Sequence, residues 1–245
     1  MEYYANTDAG LIRSLNEDSY LVKSYGENKL LAIIADGMGG HNAGEKASRM
    51  AVDEFCKILD VEYPNIFECS QRKKIQIFHK IATKVNEKVY SFSMNDESFN
   101  GMGTTLIACL IFDNNFLAVN IGDSRLYQIC NDSMKQITKD HSYVAELLEM
   151  GVITPEQAIN HPKKNIITRA VGSEANVEAD VFSGECNNGS YLLLCTDGLI
   201  NMVNESEIED LFRSDLNVKK IGNQLIDMAN AGGGKDNITV ILVKI

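Results

Sequence analysis

No Cys-x-x-Cys pair occurs among the six cysteines, at positions 56, 69, 109, 130, 186 and 195, so neither a zinc knuckle nor a thioredoxin-like motif is on offer. Cys109 and Cys195 sit in the apolar runs TTLIACLIF and YLLLCTD, where cysteine acts as a small hydrophobe, and reduced thiols are expected. No apolar run approaches the roughly 18 residues of a membrane span. The opening MEYYANTDAGLIRSLNED lacks the basic start and apolar stretch of a signal peptide, so a cytoplasmic protein with no membrane partner is expected. Basic residues are outnumbered, 23 against 34 acidic ones, and the net charge of -11 disfavours nucleic acid as a partner. A solvated acidic surface accounts for most of that excess. The rest is open to another use, carboxylates gathered around a divalent cation. No internal repeat is present.

With 245 residues, 44% hydrophobic and 23% charged, the chain has the composition of an ordinary globular protein, and one domain spanning 1–245 is expected, as a monomer. Apolar β-rich runs at 19–23 and 29–35 flank a turn at Tyr25-Gly26-Glu27-Asn28. Apolar residues at spacings of three and four predict helices over 43–59, with Asn42 as candidate cap, and over 71–92, whose lysines form a wet face. Short strands follow at 104–112, 115–121, 125–129 and 135–138, with connections so short that neighbours must be antiparallel. Helical turns are predicted at 143–150 and 155–160, the second opened by a Thr154/Gln157 capping box and Pro155. Strands at 177–182, 191–195 and 237–245 and helices at 205–212 and 218–229 complete the pattern. Strands at both ends with helices inserted in pairs indicate an α+β fold, two antiparallel sheets with helices outside, and not a parallel sheet.

Four acidic motifs share a placement: an aspartate where an apolar strand starts or ends, beside glycine or asparagine. They are Asn16-Glu17-Asp18, Asp36-Gly37-Met38-Gly39-Gly40-His41, Thr196-Asp197-Gly198 and Lys235-Asp236-Asn237. Singly each is weak, because Asp-Gly is among the commonest turn dipeptides. Together they offer several hard oxygen ligands with no Cys/His set nearby, which suits Mg²⁺ or Mn²⁺ and not structural zinc.

The ordered set R-x-x-N-E-D, D-G-M-G-G-H, G-D-S-R, T-D-G and K-D-N-I-T spans nearly the whole chain and resembles the type 2C, metal-dependent serine/threonine protein phosphatases of compact bacterial type. The resemblance implies a four-layer αββα sandwich and a pair of Mn²⁺ or Mg²⁺ ions. Asp36 would bridge the ions, the Gly37 carbonyl would bind the second, Asp197 and Asp236 would hold the first, and Asp18 would reach the second through water. Asp123, in Gly122-Asp123-Ser124-Arg125, matches a third-metal position shared with Asp197. Glu17 and Asn237 would support the ligands from behind. A metal-bridged water or hydroxide would attack phosphoserine or phosphothreonine, Arg13 would grip the phosphate, and His41 is the candidate general acid. The resemblance further implies phosphoprotein substrates and a cognate serine/threonine kinase. The segment at about 141–172 resembles the family's flap beside the active site. His79, His141 and His161 read as structural or surface residues.

Two rivals stand beside this reading. The run G-G-H-N-A-G-E-K after a strand resembles a nucleotide phosphate loop, but Glu45 separates Gly44 from Lys46 and Ala47 stands where Ser/Thr is needed. A catalytically silent phosphoprotein-binding module of the same fold is the other; the presence of every acidic position and of Arg13 favours the enzyme.

Overall fold

The computed structural model describes residues 1–39, 43–130 and 133–245. The chain runs β1 (Glu2–Asp8), β2 (Asp18–Ser24), β3 (Lys29–Met38), α1 (Ala43–Glu62), α2 (Gln71–Asn95), β4 (Gly103–Thr104), β5 (Leu106–Phe112), β6 (Asn115–Ile121), β7 (Arg125–Cys130) and β8 (Ser133–Gln136). It continues α3 (Tyr143–Glu149), α4 (Pro155–Ile159), β9 (Asp180–Glu185), β10 (Tyr191–Cys195), α5 (Asp197–Ile200), α6 (Glu205–Phe212), α7 (Val218–Ala231) and β11 (Ile238–Lys244). One sheet has the order β1-β11-β10-β7-β8, the other β2-β3-β5-β6-β9 with β4 beside β3, and every pairing is antiparallel.

Strands buried on both faces lie at the centre of each sheet, which is why they read as unbroken apolar runs. Leu30, Ala32 and Ile34 of β3, Ile107 and Cys109 of β5, and Leu192, Leu194, Ile241 and Val243 of the other sheet form one core between the sheets. The alternate residues Leu31, Ile33, Leu106, Ala108 and Leu110 pack outward against Phe55, Phe78 and Ile81 of α1 and α2. On the far side, Leu193, Cys195, Val240 and Leu242 meet Ile208, Ile221 and Leu225 of α6 and α7. The result is the expected α+β sandwich of four layers.

Asp113 and Asn114 form the β5–β6 turn with φ of 46° and 62°, the left-handed pair that a two-residue hairpin demands. The Thr154 capping box forms as its sequence predicts. The six cysteines are free. Several elements differ from expectation, among them the strand expected at 135–138, which sits at Ser133–Gln136, and the one expected at 104–112, which is split into β4 and β5. The edge strand β1 had no apolar run to announce it, because it is only half buried and its partner, β11, lies at the other end of the chain. The strand expected at 177–182 sits at Asp180–Glu185, fixed by pairing Asp180 with Asn120 and Glu185 with Asn115. Asp197, expected to finish a strand, instead begins α5 with Thr196 in the capping position. The candidate cap Asn42 lies outside the described residues, as does His41.

Candidate active site

Sheet register brings the first two carboxylates together: Asp18 and Asp36 are cross-strand partners on β2 and β3. Thr105 pins Asp36, its hydroxyl accepting from the Asp36 backbone N at 2.9 Å while its own N donates to the Asp36 carbonyl at 2.9 Å. The same Thr105 hydroxyl lies 2.8 Å from Ser124 Oγ, tying β3 to the turn that carries Asp123. From the side of the other sheet come Asp197, which follows β10 at the start of α5, and Asp236, just before β11. Asn201 Nδ2 donates to Asp197 Oδ2 at 2.9 Å and Arg13 Nη2 to Asp236 Oδ2 at 2.8 Å.

Arg13, Glu17, Asp36, Gly37, Asp123, Asp197, Asp236 and Asn237 line one cleft of about 290 Å³, together with Met38, Gly39, Thr105, Asn165 and Ile167. Asp18 lies behind this wall, only 7% exposed. Its Oδ2 accepts from Thr239 Oγ1 at 2.6 Å, in β11 of the opposite sheet, and from Thr196 Oγ1 at 3.0 Å, just beyond the end of β10. Asn237 is the knot of the site. Its Oδ1 accepts from Glu17 N at 2.8 Å, its Nδ2 donates to the carbonyls of Ala9 and Leu15, and its N donates to Asp236 Oδ1, so the Arg13 loop is sewn to Asp236. Two glycines permit this closeness. A β-carbon on Gly198 would collide with the Asn237 carbonyl oxygen, and one on Gly37 with the carbonyl of Gly44.

Sequence reasoning did not single out Thr105, Ser124, Thr196, Thr239 or Asn201. The signal for two of them stood in the motifs T-D-G and N-I-T, whose threonines are now seen to hold Asp18. The phosphate-loop alternative fails on position as well as spacing: Lys46 lies within α1 with Nζ over the Phe92 ring, 5.1 Å from its centroid. His141 is 4% exposed, accepts from Gly122 N at 3.1 Å and faces Asp180 Oδ2 at 3.3 Å, as the structural reading of that residue expects.

Burial and mutual repulsion dominate the electrostatics. Burial, then neighbouring carboxylates, raises Asp18 to about 7 and Asp197 to about 6. The same causes raise Asp123 to about 7 and push Asp36 well above the usual range. Buried Asp18 Oδ1, Asp197 Oδ1 and Glu17 Oε1 have no hydrogen-bond donor. Acceptor atoms without donors, in a ring of like charges, fit a cation. Among the described residues no three His, Cys, Asp or Glu side chains stand close enough to hold one ion by themselves. Asp236 is turned onto Arg13, so Asp36, Asp197 and Asp236 do not stand as one closed set. Sites sparing in carboxylates and completed by backbone carbonyls and waters suit Mg²⁺ or Mn²⁺.

Known proteins share both sequence and architecture. The family model for protein phosphatase 2C matches residues 13–236. A serine/threonine phosphatase of Listeria welshimeri is 42% identical over 242 residues, 97% of this chain and 93% of its own length. Protein phosphatase PhpP of Streptococcus pneumoniae is 40% identical over 246 residues, 99% of this chain and 97% of its own. The crystal structure of a Staphylococcus aureus serine/threonine phosphatase superposes with a TM-score of 0.92 at 36% identity, covering 100% of this chain and 94% of that one. With the five motifs converging on one acidic cleft and a family match that begins at Arg13 and ends at Asp236, this chain belongs to the protein phosphatase 2C family of metal-dependent enzymes.

Proposed function

We propose that this chain removes phosphate from phosphoserine and phosphothreonine in proteins, using Mn²⁺ or Mg²⁺ held in the aspartate cleft. The observation that carries this is Arg13, a guanidinium set 2.8 Å from Asp236 on the wall of a cleft otherwise lined by Asp36, Asp123 and Asp197. Carboxylates alone would repel a phosphate dianion. The planar fork of arginine matches two of its oxygens.

Divalent ions, when bound, supply Lewis-acid charge and bring the pKa of a water into the neutral range. Asp36, Asp197, Asp236 and the Gly37 carbonyl would hold two of them, and Asp123 with Asp197 a third. The chain's own groups position the rest. Thr196 and Thr239 occupy Asp18 Oδ2 and leave Oδ1 free to orient a water. Arg13 exchanges Asp236 for the phosphate oxygens, while Asn237 and Glu17 keep its loop in place. His41 remains the candidate proton donor to the departing oxygen on its motif alone. The reading includes one catalytic domain over 1–245 with a flap at about 141–172, supported by the apolar core shared between the sheets. It also includes a cognate kinase that makes the substrates, a monomeric state and a cytoplasmic setting. Among the described residues no helix is long and apolar enough to cross a membrane.

The test is release of inorganic phosphate from a phosphothreonine peptide. Release should require Mn²⁺ or Mg²⁺, stop in EDTA, return with Mn²⁺, and vanish in Asp36→Asn and Asp236→Asn. Full activity in chelator, or undiminished release by either variant, would refute the proposal.

A further inference from the structure

Beside the catalytic cleft lies a second cavity, about 530 Å³ against the cleft's 290 Å³, which shares Asp123, Asn165 and Asp197 with it. Beyond those shared residues, the reaction as proposed assigns its lining no role. Val144, Ala145 and Leu148 of α3 and Ile159 of α4 line one side; Ile200 and Val203, at and just beyond the end of α5, line the other. The two short helices are poorly covered. Val144 is the one buried residue that they contribute, and Ile159 is 68% exposed. Most polar groups around the cavity, by contrast, are already engaged. Arg125 Nη2 donates to Asp140 at 2.7 Å and Arg125 Nη1 to Tyr127 at 2.8 Å and Glu205 at 3.3 Å. Asn201 donates to Asp197, and Ser142 accepts from Ala145 N at 3.2 Å as the cap of α3. What remains on offer between these engaged groups is the apolar strip of Val144, Leu148, Ile159, Ile200 and Val203 in a concave setting, the chemistry that holds an aliphatic or aromatic side chain.

We infer that this cavity receives an apolar side chain of the phosphoprotein substrate, and so selects phosphorylation sites by a neighbouring residue. The inference rests on the phosphatase reading and adds a substrate preference to it. Continuity with the cleft sets the distance: a substrate strand advances about 3.3 Å per residue, so the side chain belongs roughly one to three positions from the phosphorylated one. The pocket's opposing sides come from different parts of the chain, the flap helices and the turn after β10, so a bound side chain would bridge them.

A set of phosphothreonine peptides, with leucine walked through each position on both sides of the phosphothreonine in an alanine background, tests this on the full chain with Mn²⁺. Leucine at one position should lower KM about tenfold with kcat little changed, the effect of burying most of a leucine side chain. Ala145→Phe, which fills the cavity, should abolish that preference and leave turnover of p-nitrophenyl phosphate within about twofold, since that ester occupies only the cleft. Leu148→Ala, which enlarges the cavity, should move the preference from leucine toward phenylalanine; this arm decides the matter if Ala145→Phe does not fold. A flat series, a preference that persists unaltered in both variants, or a preference for an acidic residue, which would point instead to Lys164 on the cavity lining, would overturn the inference. No turnover of p-nitrophenyl phosphate by the unaltered chain would sink the phosphatase reading itself.

Discussion

Replacing Asp18 by asparagine should make the metal-free protein more stable while weakening its hold on metal. The Asp18 carboxylate is 7% exposed, has one oxygen without a donor, and faces Asp197 and Asp236 as well as its partner Asp36. Its pKa is raised from 3.8 to about 7, which at 1.36 kcal/mol per unit sets a ceiling of about 4 kcal/mol on the cost of keeping it charged. Because the folded-state pKa is the raised one, stability is fullest below the ordinary carboxylate pKa and is lost as pH rises, the loss being complete just above 7. The ceiling is therefore about 4 kcal/mol at pH 8 and about 2 kcal/mol at pH 5. Asparagine can still accept from Thr196 and Thr239 through its oxygen, so those bonds survive. Thermal unfolding in EDTA at pH 8 should put the variant several degrees above the parent, at about 2–4 °C per kcal/mol for a chain of this size, with the gap narrowing at pH 5. Saturating Mn²⁺ should then raise the parent more than the variant and reverse the order. A variant less stable than the parent in EDTA at pH 8 would show that the buried carboxylate is net stabilising without a cation, and the electrostatic argument for a metal site would fail.

Arg13→Ala should lower kcat/KM for a phosphopeptide roughly 30-fold, the loss of about 2 kcal/mol of charge-assisted hydrogen bonding, while Mn²⁺ affinity by calorimetry holds or improves as Asp236 loses its competing cation. If only metal affinity falls, Arg13 does not bind phosphate. Thr239→Val keeps shape but removes the 2.6 Å donor to Asp18; Mn²⁺ affinity should drop about tenfold, and an unchanged titration would show that the hydroxyl is idle. Gly198→Ala forces a methyl group onto the Asn237 carbonyl and should cost about 3 kcal/mol, roughly 6–12 °C of Tm; a variant that melts with the parent contradicts the packing described.

The legible parts of the fold are those whose burial is written locally. The β3, β5, β10 and β11 runs are apolar on both faces because both faces are covered, and the stripe of α1 marks its buried side. The Asp113-Asn114 turn names its own conformation. The half-buried β1 was not legible, since Glu2 finds its partner in Lys244 and nothing near residue 2 records that. For the site, the carboxylates and Arg13 could be named because their motifs are ordered along the chain. That two threonines, in and just beyond strands of one sheet, hold an aspartate of the other, and that Asp236 is engaged by Arg13, are facts of sheet stacking, invisible until the layers are assembled.

The sheet order β1-β11-β10 places the last strand to be made between the first, β1, and the next to last, β10. At about 5–20 residues per second of synthesis, β1 and β10 wait for their shared neighbour, β1 for the better part of the chain's production. Asp236 and Asn237 enter only with that neighbour, bringing the carboxylate that engages Arg13. A ribosome-bound chain thus holds Asp18, Asp36, Asp123 and Asp197 but no closed site. On the phosphatase reading, a chain cut short before residue 236 lacks both the strand that joins β1 to β10 and the carboxylate that engages Arg13, and it should release no phosphate from a phosphothreonine peptide.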